Sequence, residues 1–262
     1  MAPTLPVPDY VPGHRLLDDR VVVVTAAAGT GIGAAVARKA VEEGATVVVS
    51  DVHEQRLVES VEALAEVSGV RPLARVCDVR DEDQVNSLLK AAVAEHGRID
   101  VLVNNAGLGG DTRLVDMADE EWERVLDISL TGTMRCTRAA MRIMGGQGHG
   151  VIVNNSSVLG WRAQVGQSHY AAAKAGVMAL TRCAAMEGVD LGVRVNCVAP
   201  SLATHPFLAK TSSEELLAEL ASREAFGRGA EPWEVANVVV FLASDYSSYL
   251  TGEVVSVSSQ RA

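Results

Sequence analysis

Several functions are argued against by what the chain lacks. Its four cysteines, Cys77, Cys136, Cys183 and Cys197, lie far apart, with no C-x-x-C pair and no histidine at ligand spacing. That argues against a zinc site or a disulfide framework, and fits small core residues in a reducing compartment. Basic stretches are missing too: formal net charge is −10 and pI about 5.1, without the footprint of a nucleic-acid or anionic-membrane binder. No apolar run reaches the roughly 18 residues that cross a bilayer. The opening MAPTLPVPDYVPGH lacks the charged start and apolar stretch of a signal peptide. It holds four of the eight prolines, which predicts an extended arm over residues 1–16, lying on the body or on a neighbouring subunit. The expectation is a cytoplasmic protein without nucleic-acid or membrane partners and without a metal.

What is present is a core and a rhythm. Apolar residues make up 48% of 262, enough for one sizeable domain. Short β-branched runs at 21–25, 46–50, 73–77, 101–104, 151–155, 193–198 and 254–257 read as strands. Segments of helical period lie between them at 33–43, 54–67, 82–96, 120–144, 168–189 and 232–244. Nearly continuous apolar strands alternating with helices predict an α/β fold: a doubly wound, Rossmann-type parallel sheet of about seven strands, covered on both faces. No linker or repeat divides residues 17–262. The one long departure from alternation is 200–229, with a helical stretch around 213–222, placed where a substrate lid would sit.

After the first strand comes Gly29-Thr30-Gly31-Ile32-Gly33-Ala34, which satisfies G-x-G-x-x-[GA]. Glycines let the backbone turn sharply and approach a pyrophosphate, and the following helix offers free N–H groups at its positive end. Such a loop alone is also a plain tight turn. The second strand, however, ends in Asp51, where a carboxylate accepts hydrogen bonds from adenosine ribose hydroxyls and repels a 2′-phosphate. The combination favours NAD(H) over NADP(H).

A second cluster is VNNSSVLGWRAQVGQSHYAAAKAGV. Tyr170 and Lys174 stand at i and i+4, on one face of a predicted helix. Four Tyr and four Lys in this length would give roughly 0.06 such pairs by chance. A phenol works as acid/base near neutral pH only if its pKa falls well below about 10, which a nearby ammonium favours. Ser157, at the end of a strand, can hold a substrate oxygen beside the phenol.

Together with Asn104-Asn105-Ala106-Gly107 and Arg194-Val195-Asn196-Cys197-Val198-Ala199-Pro200, these motifs resemble the short-chain dehydrogenase/reductase family, of its single-domain classical type, over residues 17–257. The resemblance implies that Tyr170 is the catalytic acid/base. It also implies that Lys174 bonds the nicotinamide ribose and depresses the phenol pKa, and that Ser157 orients the substrate. It assigns Ala27, Gly29, Thr30, Gly31, Ile32 and Gly33 to the cofactor loop. Asp78 and Val79 would lie at the adenine, with Asn105, Ala106 and Gly107 lining the cofactor, and Pro200 and Leu202 near the carboxamide. A homodimer or homotetramer, built on the helices at 120–144 and 168–189, is implied as well.

The sequence departs from the family pattern in three places. Ala26 and Ala27 stand where threonine and glycine are usual. Ser129 replaces the asparagine that acts as fourth catalytic residue. Ser201 and His205 replace a glycine and a threonine after Pro200. Trp161, Arg162 and His205 are candidates for the substrate pocket, Trp161 for a ring or apolar chain and Arg162 for an anionic group. The segments GWRAQ, SHYAAAKAGVMALTRC, EPWEVA and FLASDYSSYLTGEV resemble an actinobacterial subgroup of steroid-ring breakdown that handles hydroxylated indane-propionyl-CoA compounds. The implied reaction interconverts a secondary alcohol and a ketone with NAD(H), on a small molecule such as a CoA thioester. Alternatives are a 3-oxoacyl thioester reductase and a non-catalytic NAD(H)-binding sensor.

Overall fold

A computed structural model describes residues 5–204 and 214–260. Seven strands, β1 (Val21–Val24), β2 (Thr46–Asp51), β3 (Leu73–Val76), β4 (Val101–Asn104), β5 (Gly150–Asn155), β6 (Val193–Pro200) and β7 (Val254–Val257), form one sheet in the order β3-β2-β1-β4-β5-β6-β7. Every neighbouring pair is parallel. The valines of β1 show why both faces need cover. Val22 and Val24 point into one core with Val36, Ala37, Val239 and Val240, while Val21 and Val23 point into the other with Leu88, Leu89 and Met144.

Helices α1 (Ile32–Glu42) and α2 (Glu54–Ser68) follow β1 and β2, and α3 (Glu82–His96) follows β3. Asp81 caps α3 by accepting the N–H groups of Asp83 and Gln84, and Gly97 ends it in the left-handed region. The expected helix 120–144 is not continuous. It is α4 (Asp119–Leu126), one π-helical turn (Asp127–Thr131) and α5 (Gly132–Gln147). Helix α6 (Ser168–Gly188) carries the tyrosine and lysine. Then come α7 (Glu214–Arg223) and α8 (Pro232–Ala243), the latter opened by a capping box between Glu231 and Glu234. Three cysteines are buried as expected, but Cys183 is exposed on α6.

The proline-rich arm lies on its own body. Leu5 N–H donates to Phe226 C=O at 2.8 Å. The Tyr10 phenol hydrogen-bonds Glu42, and its ring meets Trp233 edge-on at 5.3 Å. The buried Glu43 carboxylate accepts from His14 and Leu16 N–H, at 2.7 and 3.0 Å. Among the described residues no helix is long and apolar enough to cross a membrane, and no cluster of side chains is arranged to hold a metal.

Candidate active site

The chain leaves β1 in one direction for β2 and returns on the other side of β1 for β4. The carboxyl ends of β1 and β4 therefore flank the switch point where doubly wound sheets bind ligands. Thr25, a residue not singled out from the sequence, ties the two ends together: its hydroxyl accepts from the N–H groups of Asn105 and Ala106, at 3.0 and 3.2 Å.

Between Thr25 and α1 the loop turns at Ala26 and Gly29, with φ of 49° and 92°. The left-handed residue is thus Ala26, where the family usually has threonine, and not Ala27, where it has glycine. The Ala27 side chain is fully buried in the core and its N–H donates to Ser50 C=O at 2.9 Å, so it shapes the loop from beneath. The three glycines have different tasks. A Cβ on Gly29 or Gly31 would meet no atom within 4 Å, whereas one on Gly33 would collide with Ala26 C=O and Asn105 Nδ2. Helix α1 has Gly31 as its N-cap, which offers no side-chain cap, and its first turn holds no acidic residue. Its first N–H groups and positive end are left to an anion, which fits a dinucleotide's diphosphate.

Asp51 sits at the end of β2, largely buried, and accepts from Ala28 and His53 N–H at 3.2 and 2.9 Å. Burial pushes its carboxyl pKa up, against the Ala28 N–H bond and the nearby Arg56. Asp78 is clamped by Arg80 at 2.6 Å, which lowers its pKa. Val79 is a core residue against Gly132. Thr30 is exposed on the loop, and Ile32 packs on the core below it.

The catalytic candidates converge beside this loop. Ser157 leaves β5 with its hydroxyl accepting from Leu159 N–H at 3.2 Å and reaching Pro200 C=O at 3.4 Å. Burial pushes the Tyr170 phenol up to about 12, and a hydrogen bond with the Ser157 hydroxyl pulls it back down. Lys174 is buried, and desolvation lowers its ammonium to about 8. Its Nζ lies 5.5 Å from the centre of the Tyr170 ring and donates to Asn155 C=O at 2.7 Å.

The support beneath these groups is polar and buried. Asn104 Nδ2 donates to Thr137 and Asn154, at 3.0 and 2.9 Å, and Asn154 donates to Thr181 at 2.9 Å. Asn155 Nδ2 donates to Asn105 Oδ1 at 2.9 Å, linking the lysine's anchor to the cofactor loop. The matched Asn-Asn ends of β4 and β5 were the available sequence signal for this ladder.

Ser129 sits inside the π-helical turn, fully buried, and its hydroxyl both accepts from Leu108 N–H at 2.9 Å and donates to Leu108 C=O at 3.0 Å. A Cβ on the intervening Gly107 would lie 3.2 Å from Lys174 Nζ and 3.7 Å from Ser129 Oγ. The hydroxyl therefore fixes the loop that roofs the lysine. Ser129→Ala strips Leu108 of both partners, and chemical denaturation should show a loss of roughly 1–2 kcal/mol. An unchanged midpoint would remove this anchoring role.

On the substrate side, Trp161 is half-exposed, and the exposed Arg162 hydrogen-bonds Gln260 near the described end of the chain. Pro200 ends β6, and Leu202 C=O accepts from Ala230 N–H at 2.8 Å, which closes the base of the 200–229 insertion. His205 lies outside the described residues. Gln167 and Gly109 escaped the sequence reading: a Cβ on Gly109 would lie 3.7 Å from the Tyr170 ring and 3.9 Å from Gln167 Oε1.

A doubly wound parallel sheet, an uncapped glycine-lined helix start and a Ser–Tyr–Lys set at the switch point define a nucleotide-dependent oxidoreductase. The family model described as "Enoyl-(Acyl carrier protein) reductase" matches residues 26–259. The chain belongs to the short-chain dehydrogenase/reductase family and is an oxidoreductase of CH–OH groups that uses a nicotinamide cofactor. It is 63% identical to a Mycobacterium tuberculosis (5R,7aS)-5-hydroxy-7a-methyl-1-oxo-2,3,5,6,7,7a-hexahydro-1H-indene-carboxyl-CoA reductase, with 97% of each chain covered. It is 45% identical to a cis-4-hydroxycyclohexanecarboxylate dehydrogenase of Sinomonas cyclohexanicum, covering 91% of this chain and 95% of that one. The crystal structure of a short chain dehydrogenase from Mycobacterium smegmatis superposes with a TM-score of 0.87 at 59% identity, over 98% of this chain and 99% of that one. The mycobacterial relative's name carries a carboxyl-CoA group where the sequence resemblance pointed to a propionyl-CoA side chain.

Proposed function

We propose that this enzyme interconverts a ring alcohol and the corresponding ketone on an alicyclic acyl-CoA thioester, with NAD(H) as its cofactor. The observation that carries the reading is the convergence of Ser157, Tyr170 and Lys174 beside the open glycine cradle. The names of the two curated relatives supply the ring and the thioester. A nicotinamide held at this cradle would supply the hydride in reduction and take it up in oxidation. Ser157 holds the substrate oxygen, and Tyr170 gives it a proton in reduction and removes one in oxidation. Lys174 would hold the nicotinamide ribose and keeps a positive charge near the phenol. Ser129 positions the loop over Lys174 and acts through it. The insertion after Pro200, whose residues 205–213 lie outside the described residues, is assigned to the substrate side, and the arm, described from residue 5, braces the body outside the 17–262 domain. We assign the assembly to pairs of the α4–α6 faces, as a dimer or tetramer, and the working compartment to the cytoplasm.

The test is turnover with NAD(H) and NADP(H) across hydroxylated cyclohexane- and indane-carboxyl-CoA thioesters, with free acids and 3-hydroxyacyl-CoA thioesters alongside. Normal cofactor binding without any turnover would favour a sensor instead. Cofactor choice rests on Asp51, whose carboxylate meets a 2′-phosphate with like charge. Wild type should favour NAD(H) at least about 100-fold in kcat/KM, the equivalent of about 2.7 kcal/mol. Asp51→Asn should erase most of that gap, and an enzyme preferring NADP(H) from the outset would refute the assignment.

A further inference from the structure

We propose that the groove between the Leu114–Asp116 turn and the 164–168 loop holds the phosphopantetheine arm of a CoA thioester, with Arg113 pairing its phosphates. The inference rests on the CoA-thioester reading above and gives that substrate's handle a place. The groove measures about 380 Å³ and lies between Arg113–Val115 on one side and Gln164–Gly166 with Ser168 on the other. Its size lies in the small-ligand range of about 300–1,000 Å³.

Position comes first. Ser168 opens α6 two residues before Tyr170, and Thr112 N–H donates to Gly166 C=O at 3.1 Å, tying one wall to the other. Gln167 belongs to the 164–168 loop, and a Cβ on Gly109, five residues before Leu114, would lie 3.9 Å from Gln167 Oε1 and 3.7 Å from the Tyr170 ring. The groove thus lies close in sequence and space to the residues around the phenol, on the side we assign to the chain of a seated acyl group.

Composition is the second argument. Leu114, Val115 and Val165 are 68%, 89% and 74% exposed, although large apolar side chains rarely gather in the open without a partner. Pantetheine is a slender chain of apolar segments interrupted by two amides, and the Gln164 side chain offers an amide partner. The exposed Arg113 guanidinium has no hydrogen bond or ion pair among the described residues. A charge-assisted guanidinium–phosphate contact suits it, in a chain of net charge −10.

Rival occupants fit less well. A second copy of the chain needs about 800 Å² per partner, more than three side chains supply. An acidic carrier protein would lay a broad face over the exposed Asp116, Asp119 and Glu120, like charge on like.

The test uses the full-length enzyme loaded with NADH. Desulfo-CoA is titrated by calorimetry into wild type and Arg113→Ala, with affinity expected to fall about tenfold in the variant. In parallel, one alicyclic alcohol is offered as its CoA thioester and as its N-acetylcysteamine thioester, which lacks the arm and phosphates. The ratio of the two kcat/KM values should fall about tenfold in Arg113→Ala. An unchanged ratio, or wild type that ignores desulfo-CoA, overturns the groove. So does a Leu114→Ser/Val115→Ser variant that alters the oligomer in light scattering while keeping CoA affinity. Arg113-dependent desulfo-CoA binding without turnover of any alicyclic thioester would instead sink the reaction reading and leave the groove standing.

Discussion

Tyr170→Phe is expected to lower kcat by about 10³-fold or more while NADH, followed by fluorescence titration, still binds. Positioned proton transfer contributes typically about 10²–10⁴-fold, and the ring that phenylalanine keeps fills the same half-buried space beside Gly109. The phenol differs from an ordinary tyrosine in being pushed up to about 12 by burial, with the Ser157 hydroxyl pulling the other way. At neutral pH it keeps its proton, the form that reduction needs. The lysine sets the upper limit. Burial brings its ammonium down to about 8, so the positive charge near the phenol is complete below that pH and is lost above it. Reduction should therefore hold a plateau on the acid side of about 8 and fall beyond it, while oxidation, which needs the phenolate, gains with rising pH. For stability the sign is that of a depressed group. What Lys174 contributes is present in full above its ordinary value of 10.5 and lost as pH falls through about 8. A Tyr170→Phe enzyme keeping a tenth of wild-type kcat would remove the phenol from the chemistry.

Much of this site was legible because its residues are local in sequence or forced by the sheet. Tyr170 and Lys174 share a helix face, and Asp51 and Ser157 follow strands whose valine and isoleucine runs announce them. Parallel pairing then brings every strand's carboxyl end to one edge, so separate motifs meet without further instruction. What stayed hidden depends on hydrogen bonds between distant segments. The π-helical turn at Asp127–Thr131 interrupts a segment with unbroken helical periodicity, and only the Ser129–Leu108 bonds explain what the turn holds. Thr25 looked like a strand end, yet its hydroxyl joins residues 80 positions away. The arm's two possible resting places were also indistinguishable, since Tyr10 finds Glu42 and Trp233 only after α1 and α8 are packed side by side.

Gly33→Ala and Gly31→Ala should separate the two kinds of glycine in the cofactor loop. At Gly33 the added methyl enters the space of Ala26 C=O on one side and Asn105 Nδ2 on the other. Neither neighbour yields easily. Ala26 already lies in the left-handed region, with φ of 49°, where an L side chain is strained. Asn105 Nδ2 donates to the carbonyls of Thr25 and Ala26, at 3.3 and 2.9 Å, while its Oδ1 accepts from Asn155. Asn155 in turn offers its carbonyl to Lys174 Nζ. Displacing Asn105 therefore moves the cofactor loop and the lysine's anchor together. Overpacking of this kind costs about 1–3 kcal/mol, and denaturant midpoints should fall accordingly, with cofactor affinity reduced at least about tenfold. At Gly31 a methyl meets no protein atom within 4 Å, and φ there is −87°. The fold should tolerate it to within about 0.5 kcal/mol, while the methyl stands where a diphosphate must approach the start of α1. Stability kept with binding lost at Gly31, and both lost at Gly33, is the expected pattern. If Gly33→Ala melted and bound cofactor like wild type, the Asn105 lock between loop and lysine would not exist.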